Sequence, residues 1–386
     1  MRSPSGSFSM ANGARRGVAV GLRSGEAERG GGVRSFKGER VLVTGHTGFK
    51  GAWLSSWLLA DGVETAGLAL APEIDRPSLF ADLALDSRMA TTIGDIRDFG
   101  VVRAAFEAFR PTVVFHLAAQ ALVRRSYADP LETFGSNVMG TAHVLEAARR
   151  CGSVRALVCV TTDKVYENTE RSRGYSETDP LGGKDPYSAS KAAAELVAGA
   201  YMQTLMPADR LMMATARGGN VIGGGDWSKD RLVPDIIRAA EAGQPLTLRN
   251  PGAVRPWQHV LELARGYLVL GGRLLDGDAS AVTAWNFGPD PENEVEVGTL
   301  VRAMRERWGP GAPEVRVEPS PLKEATYLRL DIAKAAAGLN WRPALGFADT
   351  IALTADWYRA YQADPSCARA LVEDQLGAYR LRVGAV

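Results

Sequence analysis

The chain has 386 residues, 46% of them hydrophobic and 23% charged, with a formal net charge of +1, the balance of a globular protein with a sizeable core. No large basic block lies past residue 40, which argues against nucleic acid as a partner, and no apolar run reaches the roughly 18 residues needed to cross a bilayer. Cys151, Cys159 and Cys367 are too scattered for a disulfide framework and lack metal-ligand spacing with His46, His116, His143 or His259, so no metal is expected and a reducing cytoplasm fits.

Residues 1–37 are rich in Gly, Ser and Arg without apolar periodicity, and predict a disordered extension. The short Val18-Ala19-Val20 patch is broken by glycine and followed by Arg23, unlike a signal-peptide core. From Arg40 strand-like and helix-like patterns alternate. Val41-Leu42-Val43 reads as a buried strand, followed by a glycine turn and a helix through Trp53, Leu54, Trp57 and Leu58. Strands are expected at Val63 to Leu70, Met89 to Ile93, Val113 to Phe115, Ala156 to Val160 and Leu211 to Ala216. Helices are expected from Asp98 to Phe109, around Asn137 to Arg150, and from Pro186, where proline suits a first helical turn.

This alternation predicts an α/β fold, a Rossmann-type doubly wound parallel sheet with a smaller C-terminal α/β substrate-binding domain. The expected division is 38–216 for the nucleotide-binding domain, with a strand returning near 281–288, and mainly 217–386 for the second domain.

Val41-Leu-Val-Thr-Gly45-His-Thr-Gly48-Phe-Lys-Gly51 places glycines three residues apart between a strand and a helix. Such a turn lets the backbone approach a pyrophosphate, with the helix N-terminus facing the anion. Gly45, His46, Gly48, Phe49, Lys50 and Gly51 are therefore candidate cofactor residues. The acidic residue that commonly grips the adenosine ribose is missing, because the second strand runs into Leu70-Ala71-Pro72 and Glu73 and Asp75 come late. The pattern leaves NAD and NADP both open. Asp95 and Ile96, after the third strand, are placed to bracket an adenine; Leu117, Ala118 and Ala119, after the fourth, leave room for a cofactor ring. His116 reads as structural.

Tyr187 and Lys191 lie four residues apart, on one face of a helix. A nearby ammonium lowers a tyrosine pKa toward use as a base. Thr162-Asp163-Lys164 ends the fifth strand, where open α/β sheets bind ligands. An acid and an amine side by side exceed what a dehydrogenase needs. They suit a dehydratase, which must take one proton from carbon and give another to a leaving hydroxyl. The loop Arg217-Gly-Gly-Asn220-Val-Ile-Gly-Gly-Gly-Asp226-Trp227 and the downstream Arg249 and Arg255 suit a polar, phosphate-bearing ligand.

Taken together, these motifs resemble the extended short-chain dehydrogenase/reductase superfamily, and within it the CDP-glucose 4,6-dehydratases, over about residues 36–380. The more specific matches are Gly45 to Gly51, Thr162 to Asn168, Gly219 to Trp227 and Arg255 to Val260. The resemblance implies NAD as cofactor and CDP-glucose as substrate. It assigns catalysis to Thr162, Asp163, Lys164, Tyr187 and Lys191, and Lys50 to the cofactor pyrophosphate. It assigns the substrate to Gln120, Asn220, Arg231, Arg255 and His259. Lys164 stands where related dTDP-glucose dehydratases carry a glutamate, which leaves the identity of the carbon base open. The resemblance further implies a homodimer or higher homo-oligomer, pairing helices around 137–150 and 187–203. The competing readings are an NAD-dependent nucleotide-sugar epimerase, a dehydratase acting on another nucleotide sugar, or a silent NAD(H)-binding protein on the same scaffold.

Overall fold

Side chains alternate along the first strand, β1 (Arg40–Thr44): Val41 and Val43 enter one hydrophobic core, and Leu42 enters another on the opposite face. The computed structural model describes residues 32–206, 210–318 and 327–384. In it β1 joins β2 (Glu64–Ala69), β3 (Ala90–Ile93), β4 (Val113–His116), β5 (Ala156–Val160), β6 (Met212–Gly218) and a returning strand, Ala284–Phe287. All pairings in this sheet are parallel, in the order returning strand, β6, β5, β4, β1, β2, β3. The order reverses between β1 and β4, and the crevice outside such a switch point is where ligands enter this architecture.

The same alternation recurs in β4 and β5. Val113, Phe115, Ala156 and Val158 face the first core, while Val114, Leu157 and Cys159 face the second. Helix α1 (Phe49–Ala60) buries Trp53 and Trp57 in the first core. The 16-residue helix Val260–Leu275 packs beside it against β4, β5 and β6, so the sheet layer draws on chain well beyond residue 217.

Two expectations need correction. Of the extension expected to be disordered, residues 1–31 lie outside the described residues. Phe36, however, is buried and meets Phe115 edge-on at 5.9 Å, because Gly271 leaves room for both rings. The helix expected around Asn137 opens with a π-turn, Gly135–Met139, before the α-helix Gly140–Arg150. Within that turn the Asn137 amide donates to the Gln120 carbonyl and to the Ser190 hydroxyl.

Beyond β6, three short pairings build the outer wall of the crevice. Val221–Ile222 pairs with Gln258–His259, Val254–Arg255 with Val295–Glu296, and Leu246–Leu248 with Val315–Val317.

Candidate active site

Strand β5 delivers Thr161 and Thr162 at its carboxyl end, and a 3₁₀ turn, Asp163–Val165, begins there. The Thr162 hydroxyl donates to Asp163 Oδ1 at 2.9 Å, and Lys164 Nζ donates to the same oxygen at 3.3 Å. Asp163 is almost wholly buried, and its Oδ2 has no hydrogen-bond partner among the described residues. A carboxylate oxygen left free in a buried site is available to a ligand.

The helix Pro186–Ala200 faces this turn. Asp185 caps it by accepting from the Ser188 amide at 2.9 Å, with proline at the first position. Tyr187 and Lys191, one turn apart, are both buried. Lys191 Nζ donates to the Val160 carbonyl at 3.2 Å, at the end of β5. Burial pushes the Tyr187 hydroxyl up to about 12; Thr162 and Arg231 pull it down, and Asp163 pushes it further up. The lysine-driven depression of the tyrosine expected from the spacing is thus not what governs Tyr187 in the chain by itself; desolvation is. Burial likewise lowers the Lys191 pKa.

Around these groups opens a cavity of about 750 Å³. Thr162, Asp163, Lys164, Tyr187 and Lys191 border it together. Leu117, Ala119 and Lys50 border it from the sheet side, and Asn220, Arg231 and Arg255 from the far side. The Asn220 Oδ1 atom is buried without a partner among the described residues. Arg231 pairs with Asp226 at 2.9 Å.

The glycine turn fits a dinucleotide. Gly45 has φ +78°, and a Cβ there would lie 2.7 Å from the Ala118 nitrogen. A Cβ on Gly51 would lie 2.1 Å from the Gly45 carbonyl oxygen. The junction of β1, α1 and β4 therefore admits no side chain at either position, and backbone amides are left to face a ligand. Lys50, in the first turn of α1, is pushed down to about 7 by burial first, and then by Lys191 and Arg231. Three cations converging on one cavity, with Asp163 and Asp226 only partly offsetting them, fit a pyrophosphate.

Other expected residues do not border the cavity. His46 has its backbone in the turn, but its ring is buried edge-on to Phe80, in the notch that Gly67 leaves open. Gly45, Gly48, Gly51, Phe49 and Ala118 form the turn and its support beside the cavity wall. Asp95 is held by Arg97 at 2.7 Å, and Ile96 is buried beneath Gly140; both lie at the end of β3, away from the catalytic turn.

Two residues expected to hold the substrate, Gln120 and His259, do not border the cavity. The Gln120 side chain donates to the Leu122 carbonyl and the Thr133 hydroxyl and accepts from the Leu122 amide, so its hydrogen bonds shape the loop after β4. His259 is fully buried, and its Nδ1 accepts from the Leu261 amide to cap the helix Val260–Leu275. Its ring meets Trp53 edge-on at 5.9 Å. A buried polar side chain satisfies its nearest backbone partners first. Tyr166, Lys184 and Trp257 line the cavity without having been singled out. For Tyr166 the available signal was its place two residues after Lys164 in the same strand-end loop.

Residues 42–354 match the family model described as GDP-mannose 4,6 dehydratase. The chain belongs to this family. Among its relatives, a CDP-glucose 4,6-dehydratase of Salmonella typhimurium is 47% identical over 332 residues, covering 84% of this chain and 92% of that protein. A dTDP-glucose 4,6-dehydratase of Xanthomonas campestris is 29% identical over 364 residues, covering 89% of this chain and 98% of that one. Among solved structures, a dTDP-glucose 4,6-dehydratase of Streptomyces venezuelae with NAD and TYD bound superimposes with a TM-score of 0.71 at 29% identity, covering 85% of this chain and 99% of that one. A UDP-glucose 4-epimerase of Thermus thermophilus in complex with NAD gives 0.70 at 30% identity, covering 83% and 99%. In this family member the acid and amine of the strand-end turn share a cavity with the tyrosine–lysine helix face.

Proposed function

We propose that the chain is an NAD-dependent hydro-lyase, a CDP-glucose 4,6-dehydratase that converts CDP-glucose to CDP-4-keto-6-deoxyglucose and water in deoxysugar biosynthesis. The observation that carries this reading is the juxtaposition of Asp163 and Lys164 with Tyr187 and Lys191 around one cavity. The 47% identity to a CDP-glucose 4,6-dehydratase supports the choice of nucleotide.

Residues 38–216 with the returning strand would hold NAD through the turn Gly45–Gly51, Lys50, Leu117 to Ala119, Tyr187 and Lys191, with Asp95 and Ile96 toward the adenine. The segment 217–386 would hold the nucleotide sugar, with Asn220, Arg231 and Arg255 directed at the diphosphate. NAD, when bound, supplies a reversible hydride acceptor, so the hydrogen taken from C4 can be returned at C6.

Tyr187 takes the proton of the 4-hydroxyl as C4 is oxidised. Burial holds its pKa at about 12 in the chain alone, where Thr162 and Arg231 draw it down; Lys191, one turn along the same helix face, is the further cation that would do so with the ligands bound. The 4-ketone acidifies the C5 proton. Passage of one proton from the Lys164 ammonium to Asp163 Oδ1, 3.3 Å away, would leave Asp163 an acid that delivers that proton to the departing 6-hydroxyl and Lys164 a neutral amine that receives the proton from C5. Water leaves, and a solvent-derived proton later returns to C5.

Exposed Leu131, Met139, Leu196 and Leu205 lie on or beside the helices expected to pair, which supports a homodimer; light scattering on the purified chain tests it, a monomer excluding the pairing. Among the described residues no helix is long and apolar enough to cross a membrane, and the three cysteines are unpaired, which supports the cytoplasm. The test of function is a mass spectrum of CDP-glucose after incubation with protein and NAD. Loss of one water without net NADH is expected. An unchanged mass, or an epimer of unchanged mass, would overturn the assignment.

A further inference from the structure

Beside the catalytic turn lies a buried polar network whose central ion pair does not border the cavity. Glu195 and Arg217 are each 4% exposed, and Arg217 Nη2 meets Glu195 Oε2 at 2.9 Å. The Thr161 hydroxyl donates to Glu195 Oε1, and the Thr215 hydroxyl donates to Oε2 at 2.8 Å. Arg217 Nη1 donates to the Tyr166 hydroxyl at 2.9 Å, and that hydroxyl donates to Asn286 Oδ1 at 2.6 Å. The Asn286 amide donates in turn to the carbonyls of Tyr175 and Asp331.

The two residues this network grips, Thr161 and Tyr166, stand on either side of Thr162-Asp163-Lys164. Glu195 lies four residues after Lys191 and eight after Tyr187, on the same helix. One ion pair thus ties the acid–amine turn, through both its ends, to the helix that carries the tyrosine and lysine. Lys191 Nζ on the Val160 carbonyl adds a second stitch between the same two elements. Stability alone is a poor reason for such a pair, because replacing a buried ion pair with well-packed apolar groups is often neutral or stabilising. Geometric specificity is the better reason here.

We propose that Glu195 and Arg217 are positioning residues for the elimination step, holding the Asp163–Lys164 turn in register with the Tyr187–Lys191 helix so that both act on one sugar. This inference rests on the dehydratase reading. Neither residue touches the cavity, so each acts through Thr161 and Tyr166. A misplacement of about 1 Å can cost about 10²-fold in rate, and the step that suffers is the one whose groups sit on the tethered turn.

The experiment compares wild type with Glu195→Gln, Thr161→Val and Tyr166→Phe on whichever nucleotide hexose wild type dehydrates. Stopped-flow absorbance reads the rise and fall of NADH, and rapid-quench mass spectrometry reads loss of water. For Glu195→Gln, C4 oxidation should stay close to wild type while water loss slows about 10²-fold, so that NADH accumulates. Thr161→Val cuts one tether with the ion pair intact and should slow water loss about tenfold, the scale of one hydrogen bond; it carries the test if Glu195→Gln does not fold. Equal slowing of both steps, or a lowered melting temperature with unchanged partition, would overturn the positioning role while leaving the dehydratase intact. A wild type that dehydrates no nucleotide hexose would overturn the functional reading, and this inference with it.

Discussion

The two ends of the cavity are built on opposite principles. At the proton-transfer end the polar groups are partnered locally: Asp163 Oδ1 by Thr162 and Lys164, and Lys191 by the Val160 carbonyl. At the other end Lys50 and Arg231 come from segments far apart in sequence and repel one another, with Asp226 bonded to Arg231 and to the Ser228 amide. The first arrangement sets geometry and leaves Asp163 Oδ2 open to a ligand. The second carries surplus positive charge against low-dielectric walls, which focuses field on an incoming anion. Chemistry is thus preorganised on one side, and affinity for phosphate is stored on the other as electrostatic tension.

Substitutions at the two ends should therefore fail differently. Tyr187→Phe removes the group that takes the first proton, so turnover should fall by about 10²- to 10⁴-fold and no NADH band should appear on adding substrate; an unchanged band would exclude Tyr187. Asp163→Asn keeps the tyrosine but loses the acid. Water loss should drop by about 10²-fold or more while NADH persists after substrate addition, and rapid decay of that band would count against Asp163. Lys50→Met acts at the other end. NAD binding, read by calorimetry, should weaken about tenfold. The melting temperature of the protein without cofactor should hold or rise at neutral pH, because a cation held down to about 7 by burial and like charges is gone. A lower melting temperature with unchanged NAD affinity would break the contrast between the ends.

The regular elements of this design were legible because their signals are periodic. Apolar residues in β5 and in the returning strand matched Ala156–Val160 and Ala284–Phe287, and the proline at 186 marked a helix start. The site motifs were legible because chemistry and strand ends coincide. Where sequence says least, side-chain direction is the missing variable. Sequence shows that His259 and Gln120 are polar and near the site, yet the nearest backbone amides and carbonyls decide where a buried polar side chain points. Two-residue pairings such as Val221–Ile222 with Gln258–His259 are too short to show any period. The π-turn at Gly135–Met139 inserts backbone geometry that a 3.6-residue pattern does not contain.

The smallest predicted effect concerns the walls that hold both ends in place. Burial pushes His116 and His259 down to about 3 and His46 down to about 4. Lys191 adds to the effect at His116. All three are neutral in the folded chain where the unfolded chain, with a pKa near the ordinary 6.5, takes up protons. Between about pH 6.5 and 4 the unfolded state binds more protons than the folded one, so stability rises with pH across that window and is lost as pH falls through it. Above pH 6.5 these groups contribute no slope. Each histidine is worth at most about 1.4 kcal/mol per pH unit there. His259→Asn removes one titrating group while keeping a side-chain oxygen that can accept from the Leu261 amide. Thermal melts at pH 7, 6 and 5 and constant ionic strength should therefore show a shallower acid decline in the variant. An unchanged decline would mean that His259 is already protonated in the fold, and the helix Val260–Leu275 would then need a different cap.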